Sequence, residues 1–307
     1  RRMGYSGSLS TGALAAGGTL GILIPPSVIL IIYSILTEQN IAKMFLAAFV
    51  PGILAAIGYL IAIAIFVRIK PDSGPPTSYV GWRQRLNLFG QVWQILVIFF
   101  LVIGGIYLGW FTPTEGASIG AAGTGIMALF TKGFNFSDLI DVIKDTAVTS
   151  AMIFLVLLGA EFFNSFIALT QITNELATFV ISNELSPYLV VFCILVLYII
   201  LGCLMDSLAM ILLTIPVFFP IIIELDFGMS IEEVAIWFGI LTLIVVEVGL
   251  ITPPVGLNVF IINKMAKNVP ISDTFIGVLP FIISDFVRVG ILFIFPGISL
   301  FLIRLFG

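Results

Sequence analysis

Uninterrupted apolar runs long enough to cross a lipid bilayer constrain the fold of this chain more than any other feature. Residues 50–67 and 188–204 carry no charged side chain, and a membrane-spanning helix needs about 20 mainly apolar residues. Charged residues make up only 10% of the 307 residues, against about 25% in soluble domains. Because backbone in hydrocarbon must satisfy its own hydrogen bonds, the sequence predicts an all-α, polytopic protein embedded in the lipid bilayer.

The composition excludes several kinds of chemistry. The chain has no histidine, so histidine metal sites and histidine-based catalytic triads are impossible. Its two cysteines, Cys193 and Cys203, lie in an apolar run and lack metal-ligand spacing. No phosphate-binding loop motif occurs. We therefore predict no cofactor and no enzymatic activity, and we expect an ion gradient to supply the energy.

Lysine and arginine are concentrated in alternate connecting segments. These segments are Arg1/Arg2, residues 68–85, residues 132–144 and Lys264/Lys267. Positively charged segments stay in the cytoplasm, so the chain is predicted to change sides of the membrane at each span. The predicted spans are 8–37, 50–67, 89–109, 114–130, 147–169, 188–204, 208–223, 234–266 and 281–303.

The turn Met205-Asp206-Ser207 between two of these spans carries no positive charge, although the alternation would place it in the cytoplasm. Pro216 and Pro220 are also predicted to break the second limb. We interpret the pair as a re-entrant hairpin whose tip stops within the membrane, lined by protein or water. Two full spans joined by a short turn are the alternative.

Composition divides the chain into five predicted segments. Residues 134–145 and 171–183 mix apolar and charged residues at helical spacing, which predicts helices lying along the membrane surface. The proline-rich residues 71–77 predict a cytoplasmic linker. The segments are 1–70 (broken helix and following span), 71–88 (linker), 89–186 (scaffold spans and surface helices), 187–270 (hairpin and second broken helix) and 271–307 (C-terminal span).

A short proline motif occurs twice. Gly21-Ile-Leu-Ile-Pro-Pro-Ser-Val reappears as Gly249-Leu-Ile-Thr-Pro-Pro-Val-Gly, displaced by 228 residues, and Pro51 matches Pro280 one residue out of register. Proline removes a backbone donor and disfavours helix in the preceding residue, so each span is predicted to be two half-helices joined by unwound backbone. The first copy follows positive residues and the second follows Glu232/Glu233. This predicts an inverted repeat with broken helices, a pattern that marks transporter binding sites.

Four motifs spread over nearly the whole chain carry a family resemblance. They are Gly18-Thr-Leu-Gly-Ile-Leu-Ile-Pro-Pro-Ser, Thr112-Pro-Thr-Glu-Gly-Ala, Met205-Asp-Ser-Leu-Ala-Met-Ile-Leu-Leu-Thr-Ile-Pro and Glu247-Val-Gly-Leu-Ile-Thr-Pro-Pro-Val-Gly-Leu-Asn. Together they resemble the large membrane subunit of tripartite ATP-independent periplasmic (TRAP) transporters. The resemblance implies an elevator-type secondary transporter driven by sodium, with a small membrane subunit and a soluble periplasmic binding protein as partners. It implies a small carboxylate substrate such as sialic acid or a C4-dicarboxylate, and a further hairpin ahead of Arg1 that this sequence is expected to lack.

Both proline motifs are predicted to bind Na⁺, because unwound backbone offers carbonyl oxygens as ligands. The candidates in the first motif are the carbonyls of Gly21, Ile24 and Pro25 and the hydroxyl of Thr19, with Ser27 assigned to a substrate or ion region. The candidates in the second motif are Gly249, Thr252, Val255 and Asn258. The alternative is that these residues only shape the two kinks.

Other polar residues within spans receive narrower predictions. Asp206 and Ser207 lie at the predicted hairpin tip and are assigned to a substrate or ion region, because a carboxylate inside a bilayer is usually functional. The alternative is that Asp206 only caps the helix that follows. Arg288 is predicted to pair with Asp285 one turn earlier, and Glu247 has no assigned role.

The segments predicted to face outward are acidic and short. Their acidic residues are Glu175, Glu184, Glu224, Asp226, Glu232 and Glu233. The segments are too short to form a domain that captures substrate, so we expect this acidic rim to dock the binding protein.

Three other functions remain as alternatives. A sodium–organic anion symporter would work without a binding protein. An ion channel would need a continuous ring of filter residues. An intramembrane aspartyl protease would need Asp206 and Asp285 to meet in one site.

Overall fold

The computed structural model describes residues 4–75, 81–90, 93–130, 133–266 and 269–306, and within these ranges all regular secondary structure is helical. The all-α prediction is therefore confirmed. Arg1, Arg2, Lys132 and Lys267, on which part of the predicted topology depends, lie outside the described residues.

The chain divides into two compact units. The first comprises residues 1–75 and 160–307, and the second comprises residues 76–159. Helices of the first unit are α1 (Gly7–Leu23), α2 (Val28–Leu36), α3 (Ile41–Ile69), α8 (Ile172–Ser182), α9 (Pro187–Gly202), α10 (Ser207–Ile223), α11 (Ile231–Ile251), α12 (Leu257–Met265), α13 (Ile271–Ile294) and α14 (Gly297–Phe306). Helices of the second unit are α4 (Trp82–Phe89), α5 (Trp93–Tyr107) and α6 (Pro113–Phe130), and α7 (Phe136–Thr170) begins in the second unit and ends in the first.

Several described helices are long and apolar enough to cross a membrane. They are α3, α7, α11 and α13, and the pair α1–α2, bent by 43°, makes a fifth if it is one span. The limbs α9 and α10 have 16 and 17 residues. At about 1.5 Å per residue they are shorter than the hydrocarbon core of about 30 Å, which supports the re-entrant hairpin.

Both proline motifs interrupt their helices, as predicted. The chain leaves helix at Ile24 and resumes it at Val28, and it leaves helix again at Thr252 and resumes it at Leu257. Both Pro-Pro peptide bonds are cis. A longer helix with an internal proline follows each interrupted pair: α3 contains Pro51 and α13 contains Pro280. The repeat is therefore a unit of three helices, α1–α2–α3 and α11–α12–α13.

Three details of the predicted helices are wrong. Residues 134–145 do not form a separate surface helix, because α7 begins among them at Phe136 and continues without a break as far as Thr170. Pro216 and Pro220 are accommodated inside α10 and do not end it. The predicted span 281–303 is two helices, since α13 ends at Ile294, just before Pro296, and α14 begins at Gly297.

The helix α11 is the centre of the first unit. Every residue from Val234 to Ile251 is buried, and α1, α3, α9, α10 and α13 pack around it. Near its N-terminal end the Trp237 indole N–H donates to the Leu292 carbonyl at 2.9 Å. The Trp237 ring also contacts Tyr188 at the start of α9 and Phe227, at centroid distances of 6.1 and 5.4 Å. This contact set joins the hairpin to the second repeat.

The two repeats cross where α1 meets α13. A Cβ atom added to Gly277 would lie 2.1 Å from the Ser8 carbonyl oxygen, and one added to Gly12 would lie 2.3 Å from the Gly277 backbone. Around this crossing, apolar side chains of α1, α3, α11, α12 and α13 form one buried cluster. Glycine at both positions therefore sets how closely the repeats approach.

We expect Gly277→Ala to destabilise the protein by about 1–3 kcal/mol, because the added methyl group meets backbone that cannot rotate away. The matched control is Gly290→Ala on the same helix, where no atom lies within 4 Å of the added carbon. This control should be neutral or stabilising by about 0.5–1 kcal/mol. Thermal unfolding of the purified protein in detergent measures both, and equal melting temperatures would contradict the close crossing.

Candidate functional site

The end of the hairpin lies directly against the second helix break. A Cβ atom added to Gly249 would be 2.6 Å from the Cα of Gly202, so α9 and α11 touch through two glycines. The Cys203 thiol lies 3.5 Å from the Pro253 carbonyl oxygen, to which it donates. Contact between the tip and the break therefore runs through Gly202 and Cys203.

The second break exposes oxygen atoms over a short stretch of chain. The Thr252 amide donates to the Gly249 carbonyl at 3.1 Å, and its hydroxyl donates to the Val248 carbonyl at 2.5 Å. A hydroxyl that donates retains lone pairs for a ligand. Gly256 then adopts φ +62°, a left-handed conformation, before α12 begins. Gly249 thus lies in the last turn of α11, Thr252 and Val255 lie in the unwound chain, and Asn258 lies in the first turn of α12.

The first break also lacks two backbone donors, and here a serine hydroxyl replaces one of them. Pro25 and Pro26 have no N–H, so the carbonyls of Gly21 and Ile22 lose the donors that a continuous helix would supply. The Ser27 hydroxyl donates to the Ile22 carbonyl and accepts from the Leu30 amide at 3.3 Å. Ser27 thus replaces the donor that the Ile22 carbonyl loses, whereas the Gly21 carbonyl stays without its helical donor.

Thr19 faces the neighbouring helix. Its side chain is fully buried, donates to the Ala16 carbonyl at 2.7 Å and lies 3.4 Å from the Tyr59 hydroxyl of α3. The side of α1 that carries Gly17, Gly18 and Gly21 is open, since no described atom lies within 4 Å of a Cβ at these positions. This face of α1 is therefore open, whereas Gly249 on α11 is covered by the hairpin.

Asp206 caps α10. Its side chain is exposed and accepts from the amides of Leu208 and Ala209 at 3.0 and 3.4 Å. Ser207 is buried as the first residue of the helix. The capping prediction is thus confirmed, and the role in ion or substrate binding stays a prediction.

A buried polar cluster joins α3, α11 and α13. Arg288 donates to Asp285 at 2.8 Å, which confirms the predicted pair, and Asp285 also accepts from the Tyr59 hydroxyl at 2.8 Å. Glu247, fully buried, lies 3.9 Å from the Arg288 guanidinium. Tyr59 was not identified from the sequence. The feature that could have pointed to it is a single hydroxyl within an apolar run. Asp285 is thus held by a cation and a phenol, and it shares none of these partners with Asp206.

The N-terminal end of α11 carries two ion pairs. Glu232 pairs with Lys43 of α3 at 2.6 Å, and Glu233 pairs with Arg304 of α14 at 2.7 Å. Two members of the predicted acidic rim are therefore already neutralised. Exposed pairs of this kind contribute only about 0–1 kcal/mol each.

A repeat of broken helices beside a short hairpin is typical of secondary transporters. The family model of the "Tripartite ATP-independent periplasmic transporter, DctM component" matches residues 1–298. The chain belongs to this family. It is a transport protein of the bacterial inner membrane with several spans, not an enzyme, and the sequence resemblance is confirmed.

Characterised relatives match along nearly the full chain. The C4-dicarboxylate TRAP transporter large permease protein DctM of Pseudomonas aeruginosa is 32% identical over 300 residues, which are 97% of this chain and 68% of the relative. The sialic acid TRAP transporter permease protein SiaT of Haemophilus influenzae is 31% identical over 98% of this chain and 48% of its own length. The ectoine TRAP transporter large permease protein TeaC of Halomonas elongata is 29% identical over 98% of this chain and 69% of the relative.

Asparagine and aspartate cap helices equally well. An asparagine at position 206 therefore distinguishes the capping role of Asp206 from a role in ion or substrate binding. We expect Asp206→Asn to keep wild-type stability while reducing uptake at limiting substrate about tenfold, the effect of losing one hydrogen bond to a charged group. Asp206→Ala, the control, should lose both uptake and about 1 kcal/mol of stability. Radiolabelled uptake and thermal unfolding provide the two readouts. Wild-type uptake by Asp206→Asn would leave Asp206 as a cap alone.

Proposed function

We propose that this chain forms the ion- and substrate-binding part of a sodium-coupled TRAP permease that imports a small organic anion. The observation that carries the proposal is the pair of equivalent helix breaks, at each of which two prolines remove the N–H groups that a continuous helix would donate to carbonyls of the preceding turn. A free carbonyl within a membrane needs protein, water or an ion. Sodium, which takes oxygen ligands, fits such breaks.

The predicted ligands differ in how directly the surrounding contacts support them. Gly21 and Thr252 have the clearest support, through the carbonyl that lost its donor and the hydroxyl beside the second break. Ile24, Pro25, Gly249 and Val255 contribute backbone in the same segments. Thr19 is turned towards Tyr59, so it fits better as a support behind the first site.

The relatives and the geometry of α12 both favour a substrate with a carboxylate group. Two relatives are named for C4-dicarboxylates and for sialic acid, and both kinds of compound carry carboxylate groups. The helix α12 begins at the second break with no side chain capping its first turn. Amides at an uncapped helix N-terminus attract anions, so we propose that the substrate carboxylate binds near Leu257 and Asn258.

The family to which the chain belongs also suggests an energy source and partners. A sodium gradient would drive an elevator movement of the broken helices and hairpin, with a small membrane subunit as part of the scaffold. A soluble periplasmic binding protein would deliver the substrate. After the ion pairs of Glu232 and Glu233, the exposed acidic residues of the outer segments are Glu175, Glu184, Glu224 and Asp226. These four are the proposed docking charges.

Thr252→Val tests the sodium proposal with little change in shape. We expect the sodium concentration for half-maximal uptake to rise about tenfold, or about 1.4 kcal/mol, which is the scale of one hydrogen bond. The control is Thr11→Val on α1, because the buried Thr11 hydroxyl makes the same kind of bond, to the Gly7 carbonyl at 2.8 Å. Equal sodium dependence in both variants would remove the Thr252 side chain from the site.

Dependence on the binding protein is tested with the complete transporter in proteoliposomes. Under an inward sodium gradient we expect efficient uptake of dilute substrate only when the binding protein is present. Reversing Glu224 and Asp226 should slow uptake most at low ionic strength, because rim charges act mainly on association rates. Rapid sodium-driven uptake of free substrate would instead indicate a conventional symporter.

A further inference from the structure

A chain of polar contacts runs through the buried core from one broken helix to the other. It passes from Thr19 of α1 to Tyr59 of α3, then to Asp285 and Arg288 of α13, and ends at Glu247 of α11. All five side chains are at most 5% exposed. The surrounding core is apolar, where charged and polar groups persist only if they are paired or functional.

The internal repeat relates the members of this chain to one another. Thr19 and Glu247 are separated by the 228 residues that separate the two proline motifs, and Tyr59 and Arg288 are separated by the 229 residues that separate Pro51 from Pro280. The contact between Thr19 and Tyr59 is thus the counterpart of the contact between Glu247 and Arg288. Asp285 joins the two equivalent contacts.

Both ends of the polar chain reach the turn that leads into a break. Thr19 lies two residues before Gly21, and Glu247 lies two residues before Gly249. A displacement at either break can therefore move an end of the chain, because each end lies on the same helix about one and a half turns before the break.

The centre of the polar chain has two possible arrangements. Arg288 bonds Asp285 at 2.8 Å through Nη2, and the same nitrogen lies 3.9 Å from Glu247. Both Glu247 carboxylate oxygens and the Nε and Nη1 atoms of Arg288 lack a hydrogen-bond partner among the described residues. Arg288 can therefore be held by Asp285 alone or by both carboxylates, depending on a small movement of α11 against α13. Elements with two discrete arrangements are what carries coupling between sites.

We propose that Tyr59, Asp285 and Arg288 are positioning residues that couple the two breaks, so that a cation bound at one break changes the cation affinity of the other. This inference rests on the proposed sodium binding at both breaks. It adds that the two sites act together through one buried link. By reciprocity, each site alters the other by the same factor.

The test is Tyr59→Phe, which removes only the hydroxyl between Thr19 and Asp285. Sodium binding is measured on the complete transporter by sodium-dependent thermal stabilisation and by the sodium dependence of uptake. We expect the Hill coefficient to fall towards one and half-maximal sodium to rise about fivefold, the lower end of typical coupling factors, with maximal uptake retained. Tyr198→Phe is the matched control: its buried hydroxyl bonds Thr214 at 2.7 Å within the hairpin, so it should leave the Hill coefficient unchanged.

A second variant distinguishes loss of the link from misfolding. Arg288→Lys keeps the charge but has only one nitrogen to share, so we expect the same loss of steepness at a melting temperature close to that of the unmodified protein. Steep sodium dependence in both Tyr59→Phe and Arg288→Lys would overturn the link and leave the sodium sites intact. A Hill coefficient of one in the unmodified protein would also overturn it. An unmodified protein that does not respond to sodium would overturn the proposed function itself, and the link with it.

Discussion

Backbone groups that lose their hydrogen-bond donors inside a membrane are the constraint on which this structure depends. A continuous helix satisfies each of its carbonyls, but Pro25-Pro26 and Pro253-Pro254 remove donors in the middle of two apolar segments. Water cannot compensate within hydrocarbon, so other parts of the protein must surround the breaks. The hairpin, the crossing of α1 with α13 and the buried α11 all serve to enclose or support these two short stretches of unwound chain.

The buried charges of Asp285 and Arg288 also need an explanation. Removing ions from water is unfavourable, and a buried pair is seldom a net source of stability. Asp285 and Arg288 persist in the core as partners, and Asp285 also accepts a hydrogen bond from Tyr59 of the other repeat. Their placement is thus better explained by a role in relating the two repeats than by a contribution to folding free energy. Leucine at the same positions would be expected to pack at least as well.

The parts of the fold that could be predicted from the sequence are those set by local chemistry. Two consecutive prolines remove two helical donors at once, so both interrupted spans were predictable, and the pair of Arg288 with Asp285 follows from helical spacing. The contact of Tyr59 with Asp285 joins residues 226 positions apart and depends on how each helix is rotated. The run through residues 134–145 was predicted as a separate helix because amphipathic composition does not show where a helix ends. The ion pair of Lys43 with Glu232 likewise joins residues far apart in the sequence and could not be predicted from local pattern.

The aromatic contacts of Trp237 have an optical consequence. The chain has four tryptophans, and the other three, Trp82, Trp93 and Trp110, are exposed. Trp237 alone among them is enclosed, with its indole N–H on Leu292 and its ring against Tyr188 at the base of the hairpin. Any displacement of the hairpin from α11 changes the polarity around this one indole. The protein therefore contains an intrinsic fluorophore at the joint between hairpin and core, and its emission can follow that joint without an added label.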